Sequence, residues 1–214
     1  MASKRASGYV ENVGNDAKKQ KPSQPSVEEI AVVSMIIDGI FYLTGINVKD
    51  GEPYYQALEA ISEKHGITAV VKLTSGYVPG VSNPNTLIYP VSFETLDGVD
   101  IIVAPVADKP EAPLQNHFPA IFKFLDDALA KECRILVHCR EGRSRSVAVL
   151  VAYLMYSRQM TFADAIQLIA SKRPIIATKF TAMLSKFEEF LRANGHYSSP
   201  DSKVGLDVIP QFTA

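Results

Sequence analysis

Between residues 28 and 194 strand-like and helix-like segments alternate, and this alternation leaves few folds open. β-branched and aromatic residues mark Ala31–Ile37 and Gly39–Leu43 as strands, and Ile67–Leu73 is a short apolar one. Leu87–Val91 and Ile101–Val106 also read as extended. Tyr55, Leu58 and Ile61 recur at helical spacing within Pro53–Lys64, which stops at Gly66. Phe118, Ile121, Phe122, Leu125 and Leu129 form one face of a helix over Leu114–Lys131, and Pro119 predicts an irregular first turn. A strand at Arg134–His138 then leads through a glycine-bearing loop into an apolar helix from Arg145 to Ser157. Thr161, with Asp164 three residues on, caps a helix reaching Lys172, and a last helix covers Thr178–Ala193. Strands separated by helices of this length predict an α/β fold, with a mostly parallel central sheet of about five strands flanked by helices. Ligands of such folds bind beyond the carboxyl ends of the strands, where helices begin.

The flanks differ from this core. Residues 1–27 are polar and carry Lys18, Lys19, Lys21, Pro22 and Pro25, so a disordered N-terminal tail is expected. A domain is expected over 28–194. Residues 195–214 read as a loose C-terminal tail, laid against the domain through Val208 and Ile209. A net charge of −1 exerts no global pull on nucleic acid or anionic membrane, so anion recognition has to be local. No signal peptide is legible, and the longest apolar runs, Ile30–Ile37 and Val147–Met155, are far shorter than a membrane span. The expectation is a soluble protein with no nucleic-acid partner.

Cys133 and Cys139 stand at the two ends of an apparent strand. An extended stretch of that length holds its ends roughly 20 Å apart, and a disulfide tolerates only about 7 Å between Cα atoms. Cys133 therefore reads as a small buried hydrophobe. No cysteine or histidine cluster suggests a metal, and no cofactor is expected.

Cys139 is different. The run Val137-His138-Cys139-Arg140-Glu141-Gly142-Arg143-Ser144-Arg145-Ser146 puts a thiol at the end of a buried strand and just before a helix. A helix N-terminus offers unpaired N–H groups and partial positive charge, which stabilise a thiolate and attract a phosphate. In such surroundings a thiol pKa falls from about 8.5 into roughly the 3.5–7.5 range. The five residues between Cys139 and Arg145 suffice for a loop whose N–H groups converge on one point, and Gly142 supplies the freedom in φ. Arg145 returns at the helix start, where its planar fork holds two phosphate oxygens at once. The Ser146 hydroxyl is placed to donate toward the sulfur.

This run resembles the signature loop of the protein tyrosine phosphatase superfamily, most closely that of the small dual-specificity phosphatases. The resemblance covers most of residues 28–194. It implies a phosphatase signature loop between a strand and a helix, with Cys139 as nucleophile, Arg145 on the phosphate and Ser146 aiding the second step. Arg140, Glu141, Gly142, Arg143 and Ser144 would line the phosphate loop, and His138 would orient it. It also says where to seek a general acid, in a loop about thirty residues upstream. Asp108 fits, since 139 − 108 = 31 and an apolar strand precedes it. Asp97, Asp100, Asp126 and Asp127 are weaker candidates. Glu141 is expected to turn away from the phosphate and brace the loop. Where the family tends to place a Pro-Asn pair that supports the loop, this chain has Ile176-Ala177-Thr178-Lys179, and Thr178 reads as a helix cap.

The implied reaction needs no metal. The implied substrates are proteins phosphorylated on tyrosine, serine or threonine, in the cytoplasm or the nucleus. Arg140 and Arg143 leave open a phosphoinositide or other non-protein phosphate, and a weakly active phosphate-binding module is the non-enzymatic alternative. Thr74–Asn85 is expected to form one wall of the pocket, and Lys18-Lys19-Gln20-Lys21 is read as part of a solvated tail.

Overall fold

The computed structural model describes residues 32–48, 50–74 and 89–210. The expected N-terminal tail and most of the expected wall loop, from residue 75 onward, lie outside these residues. The strands are β1 (Ser34–Ile37), β2 (Phe41–Gly45), β3 (Ala69–Thr74), β4 (Ser92–Leu96), β5 (Val99–Pro105) and β6 (Ile135–Cys139). They form one six-stranded sheet in the order β1-β2-β6-β3-β5-β4. The inner neighbours β2, β6, β3 and β5 run parallel, and the edges β1 and β4 are antiparallel.

The helices are α1 (Glu52–His65), α2 (Phe118–Ala130), α3 (Arg145–Arg158), α4 (Phe162–Lys172) and α5 (Thr181–Ala193). A 3-10 turn over Leu114–His117 precedes α2, whose second residue is Pro119, as its predicted irregular start requires. The Thr161 hydroxyl accepts the Asp164 N–H at 3.1 Å and caps α4. Thr178 does not cap α5. Its hydroxyl accepts the Phe180 N–H at 3.2 Å and closes the turn that leads into the helix.

One strand differs from its expectation. Of the expected strand Leu87–Val91, residues 87 and 88 lie outside the described residues and 89–91 are not part of a strand; the strand that pairs with β5 begins at Ser92. β4 is mostly exposed, so it lacks the apolar run by which a strand is recognised. Its signal lies in the turn. Asp97 and Gly98 have φ of 48° and 83°, and they join the paired residues Leu96 and Val99 as a two-residue hairpin loop.

Strand parity sorts the core into two layers. In β6, Ile135, Val137 and Cys139 face the layer built with α2–α5, and Leu136 faces the layer built with α1. α3 runs through the first layer, buried from Arg145 to Tyr156, which explains its lack of a polar face. Val204 and Ile209 join the same layer, whereas Val208 is exposed. No helix among the described residues is long and apolar enough to cross a membrane.

Phe122 lies at the centre of this layer, fully buried and in ring contact with Phe118, Tyr153, Tyr156 and Phe187. Phe122→Ala is expected to cost about 3–5 kcal/mol by urea denaturation, the range for emptying a fixed aromatic site.

Candidate active site

β6 ends on Cys139, its register neighbour in β2 is Gly45, and α3 begins six residues later. The loop between them is pressed onto the end of β2 by two glycines. Gly142 has φ 64°, and a Cβ there would stand 2.4 Å from the Thr44 carbonyl carbon. A Cβ on Gly45 would stand 2.3 Å from the Glu141 carbonyl carbon. Neither position has room for a side chain.

Inside this wrap the Cys139 Sγ lies 3.2 Å from the Ser146 Oγ. Burial pushes the thiol pKa up. The Ser146 hydroxyl and N–H, the Arg145 guanidinium and the Gly142 N–H act against burial and together hold it below the ordinary value. Arg145 is buried, and its Nη1 donates to the Val106 carbonyl at 3.3 Å, which fixes the guanidinium beneath the end of β5.

Asp108, in the loop after β5, approaches from the other side. The Ser144 hydroxyl donates to its Oδ1 at 2.6 Å, and Lys179 Nζ lies 3.3 Å from its Oδ2. A cavity of about 140 Å³ is lined by Asp108, Cys139, Arg140, Glu141, Arg143, Ser144 and Arg145. The candidates named from the loop motif and the upstream Asp thus converge on one small cavity, with Gly142 and Ser146 behind the sulfur. The other aspartates are engaged elsewhere: Asp126 accepts from the Tyr153 hydroxyl, Asp127 pairs with Lys123, and Asp100 lies 3.6 Å from Lys131. Asp97 forms the β4–β5 turn.

The loop's charged side chains mostly serve the loop. Glu141 pairs with Arg143 at 3.8 Å, and Arg143 Nε donates to the Ile175 carbonyl. Arg140 Nε donates to Asn47 Oδ1 at 2.9 Å. His138 faces α1, where its Nε2 bonds the Tyr54 hydroxyl at 3.1 Å. Burial, Lys72 and Arg145 push its pKa down to about 3, so the imidazole is neutral at physiological pH.

Three features of the site lie beyond what the sequence pattern announces. Buried Arg173, at the end of α4, donates to the Gly142 carbonyl at 2.7 Å and to the Glu141 carbonyl at 3.4 Å. Its other nitrogen donates to the Val32 carbonyl and to Ser34 Oγ. The 177–179 segment supplies the second brace: the Ala177 N–H donates to the Arg143 carbonyl, and the Lys179 N–H donates to Ser144 Oγ. Gly45 is the third. Arg173 and Lys179 reach partners 31 to 141 residues away, which no local motif encodes. Gly45 carries a weak signal, a glycine ending a strand.

Fold and site together place Cys139 and Arg145 in a tightly wrapped loop at the carboxyl edge of the parallel strands. Comparison with known proteins agrees. The family described as dual specificity phosphatase, catalytic domain, matches residues 52–190, and the chain belongs to that family. It is 33% identical over 150 residues to human dual specificity protein phosphatase 9, covering 69% of this chain and 38% of that protein. It is 29% identical over 141 residues to Arabidopsis thaliana dual specificity protein phosphatase 1, covering 65% of this chain and 64% of that one. The chain thus spans less than two thirds of the length of either relative. The crystal structure of human DUSP28 superposes with a TM-score of 0.57 at 26% identity, covering 75% of this chain and 95% of that one.

Because the Ser146 hydroxyl is the foremost group lowering the Cys139 pKa, Ser146→Ala is expected to move the pH profile of Cys139 alkylation to higher pH. Iodoacetamide labelling read by peptide mass, with Cys133 as internal reference, checks this. A profile that stays in place assigns the ionisation to the backbone and Arg145 alone.

Proposed function

We propose that this chain hydrolyses phosphate monoesters on phosphoproteins, on tyrosine and on serine or threonine, through a phosphocysteine intermediate. The observation that carries the reading is the Cys139 sulfur, 3.2 Å from Ser146 Oγ, in a cavity shared with Arg145 and Asp108.

In the first step the Cys139 thiolate attacks phosphorus in line. A P–S bond forms as the P–O bond to the leaving group breaks. The equatorial oxygens are met by the loop N–H groups and the Arg145 fork, donors fixed before the charge develops. Asp108 gives its proton to the departing oxygen. The Ser144 hydroxyl and Lys179 hold this carboxyl at the edge of the loop. In the second step water attacks phosphorus and gives a proton to Asp108. The P–S bond breaks with Ser146 donating to the sulfur, and inorganic phosphate leaves. Neutral His138 transfers no proton; it fixes the end of β6 through Tyr54.

Arg140 and Arg143 are tied to Asn47, Ile175 and Glu141, so they answer to the loop before they answer to a substrate. This favours a protein substrate over a polyphosphorylated lipid. A nucleophilic thiol and a second free cysteine suit a reducing compartment, the cytoplasm or the nucleus.

Cys139→Ser is expected to abolish turnover of phosphotyrosine peptide while retaining its binding. Asp108→Asn is expected to lower kcat on phosphotyrosine by about 10²–10⁴-fold, the usual range for a general acid. On p-nitrophenyl phosphate, whose leaving group needs little protonation, the loss is expected to be much smaller. Equal rates on both substrates in Asp108→Asn would remove that residue from the mechanism. A strong preference of the wild type for phosphoinositide over phosphotyrosine and phosphothreonine peptides would overturn the protein substrate.

A further inference from the structure

Among the described residues, buried Lys72 takes no part in the proposed chemistry or in bracing the loop. Lys72 pairs in register with His138, and strand parity turns it with Val70 toward the α1 layer. Its side chain is 9% exposed, and its Nζ lies 3.6 Å from the centroid of the Tyr54 ring. An ammonium withdrawn from water is costly unless a negative group compensates. The compensating group here is Asp50, 3.1 Å away, with a side chain that is 78% exposed. The anion that balances a buried lysine is therefore supplied by a surface side chain, which an arriving anion can replace.

Both residues line a cavity of about 390 Å³ that includes Cys139, Arg140 and Arg145, so it opens directly onto the phosphate site. Asp50 immediately precedes the Gly51 cap of α1, a helix end without a side-chain cap, where the dipole adds to the preference for negative charge. Asn47 and Arg140, bonded to each other, stand on the same wall. Ile46, Val48 and Leu73 add apolar surface to a lining that also holds Tyr54, Thr74 and His138.

We infer that Lys72 and its surroundings form a second anion subsite. It takes a carboxylate or phosphate carried by a phosphopeptide close to the scissile phosphate, and that group displaces Asp50 from Lys72. The inference rests on the phosphatase reading of Cys139 and names the class of substrate for it: a phosphopeptide with two neighbouring anions.

Three phosphotyrosine peptides test it, alike except for a neutral, a carboxylate or a second phosphate-bearing residue beside the phosphotyrosine. Inositol bisphosphate serves as a fourth arm. The doubly anionic peptides are expected to show kcat/KM about tenfold above the neutral one, the yield of one charge-assisted contact. That ratio is expected to fall toward one in Lys72→Met and to rise in the exposed variant Asp50→Asn. A gain confined to the carboxylate or to the second phosphate assigns the group that the subsite takes.

The same ratios read as Kd with Cys139→Ser protein separate the two claims. A wild type without turnover sinks the phosphatase reading, and binding still decides the subsite. Full preference retained in a folded Lys72→Met, no change in Asp50→Asn, or a gain seen only with inositol bisphosphate overturns the subsite.

Discussion

A buried sulfur whose pKa is held below the ordinary thiol value is the constraint around which this structure is arranged. Burial alone would raise the Cys139 pKa. The Ser146 hydroxyl and N–H, the Gly142 N–H and the Arg145 guanidinium outweigh it because all four converge on one atom. Each needs the loop in a single conformation, since a hydrogen bond weakens steeply once its direction is lost. The rest of the site serves that geometry.

The loop is held from three directions. From β2, Thr44 and Gly45 press against Gly142 and Glu141 so closely that either glycine would collide with the chain if it bore a Cβ. From α4, Arg173 gathers the Gly142 and Glu141 carbonyls and binds the entrance to β1 with the same guanidinium. From the turn before α5, the Ala177 and Lys179 N–H groups reach Arg143 and Ser144. Ser144 also reaches Asp108, so the brace and the candidate acid belong to one hydrogen-bonded chain. The bonds of 177–179 stand where the family tends to use a Pro-Asn pair, and here backbone groups make them.

Parity within β6 divides the labour at the centre of the sheet. Cys139 shares its face with Ile135 and Val137 and sits over the start of α3. His138 turns the other way, to Tyr54, and Lys72 stands beside it in register. One strand end thus presents a thiol of lowered pKa on one side and a neutral imidazole flanked by an ammonium on the other. The large cavity spans both sides, which brings Lys72 into reach of whatever occupies the phosphate loop.

Much of this was legible in residue order. The alternation of segments predicted an α/β sheet, and the run after His138, with Asp108 upstream, named six of the residues that line one cavity with Asp108: Cys139, Arg140, Glu141, Arg143, Ser144 and Arg145. Those signals are local: a strand is marked by its apolar run, and a thiol before a helix start carries its own electrostatics. β4 escaped because an exposed edge strand has no buried face to pattern, although Asp97-Gly98 marked its turn. Arg173, Gly45, Lys179 and the Lys72–Asp50 pair escaped for a different reason. Their partners lie far away in sequence or across the sheet, and a charged side chain in a sequence does not announce whether it faces water, a carbonyl or a cavity. The chain's own order determined the fold class and the reactive loop. Only tertiary packing decided what holds that loop still and which cation shares its cavity, because those contacts exist only once distant strands and helices are brought together.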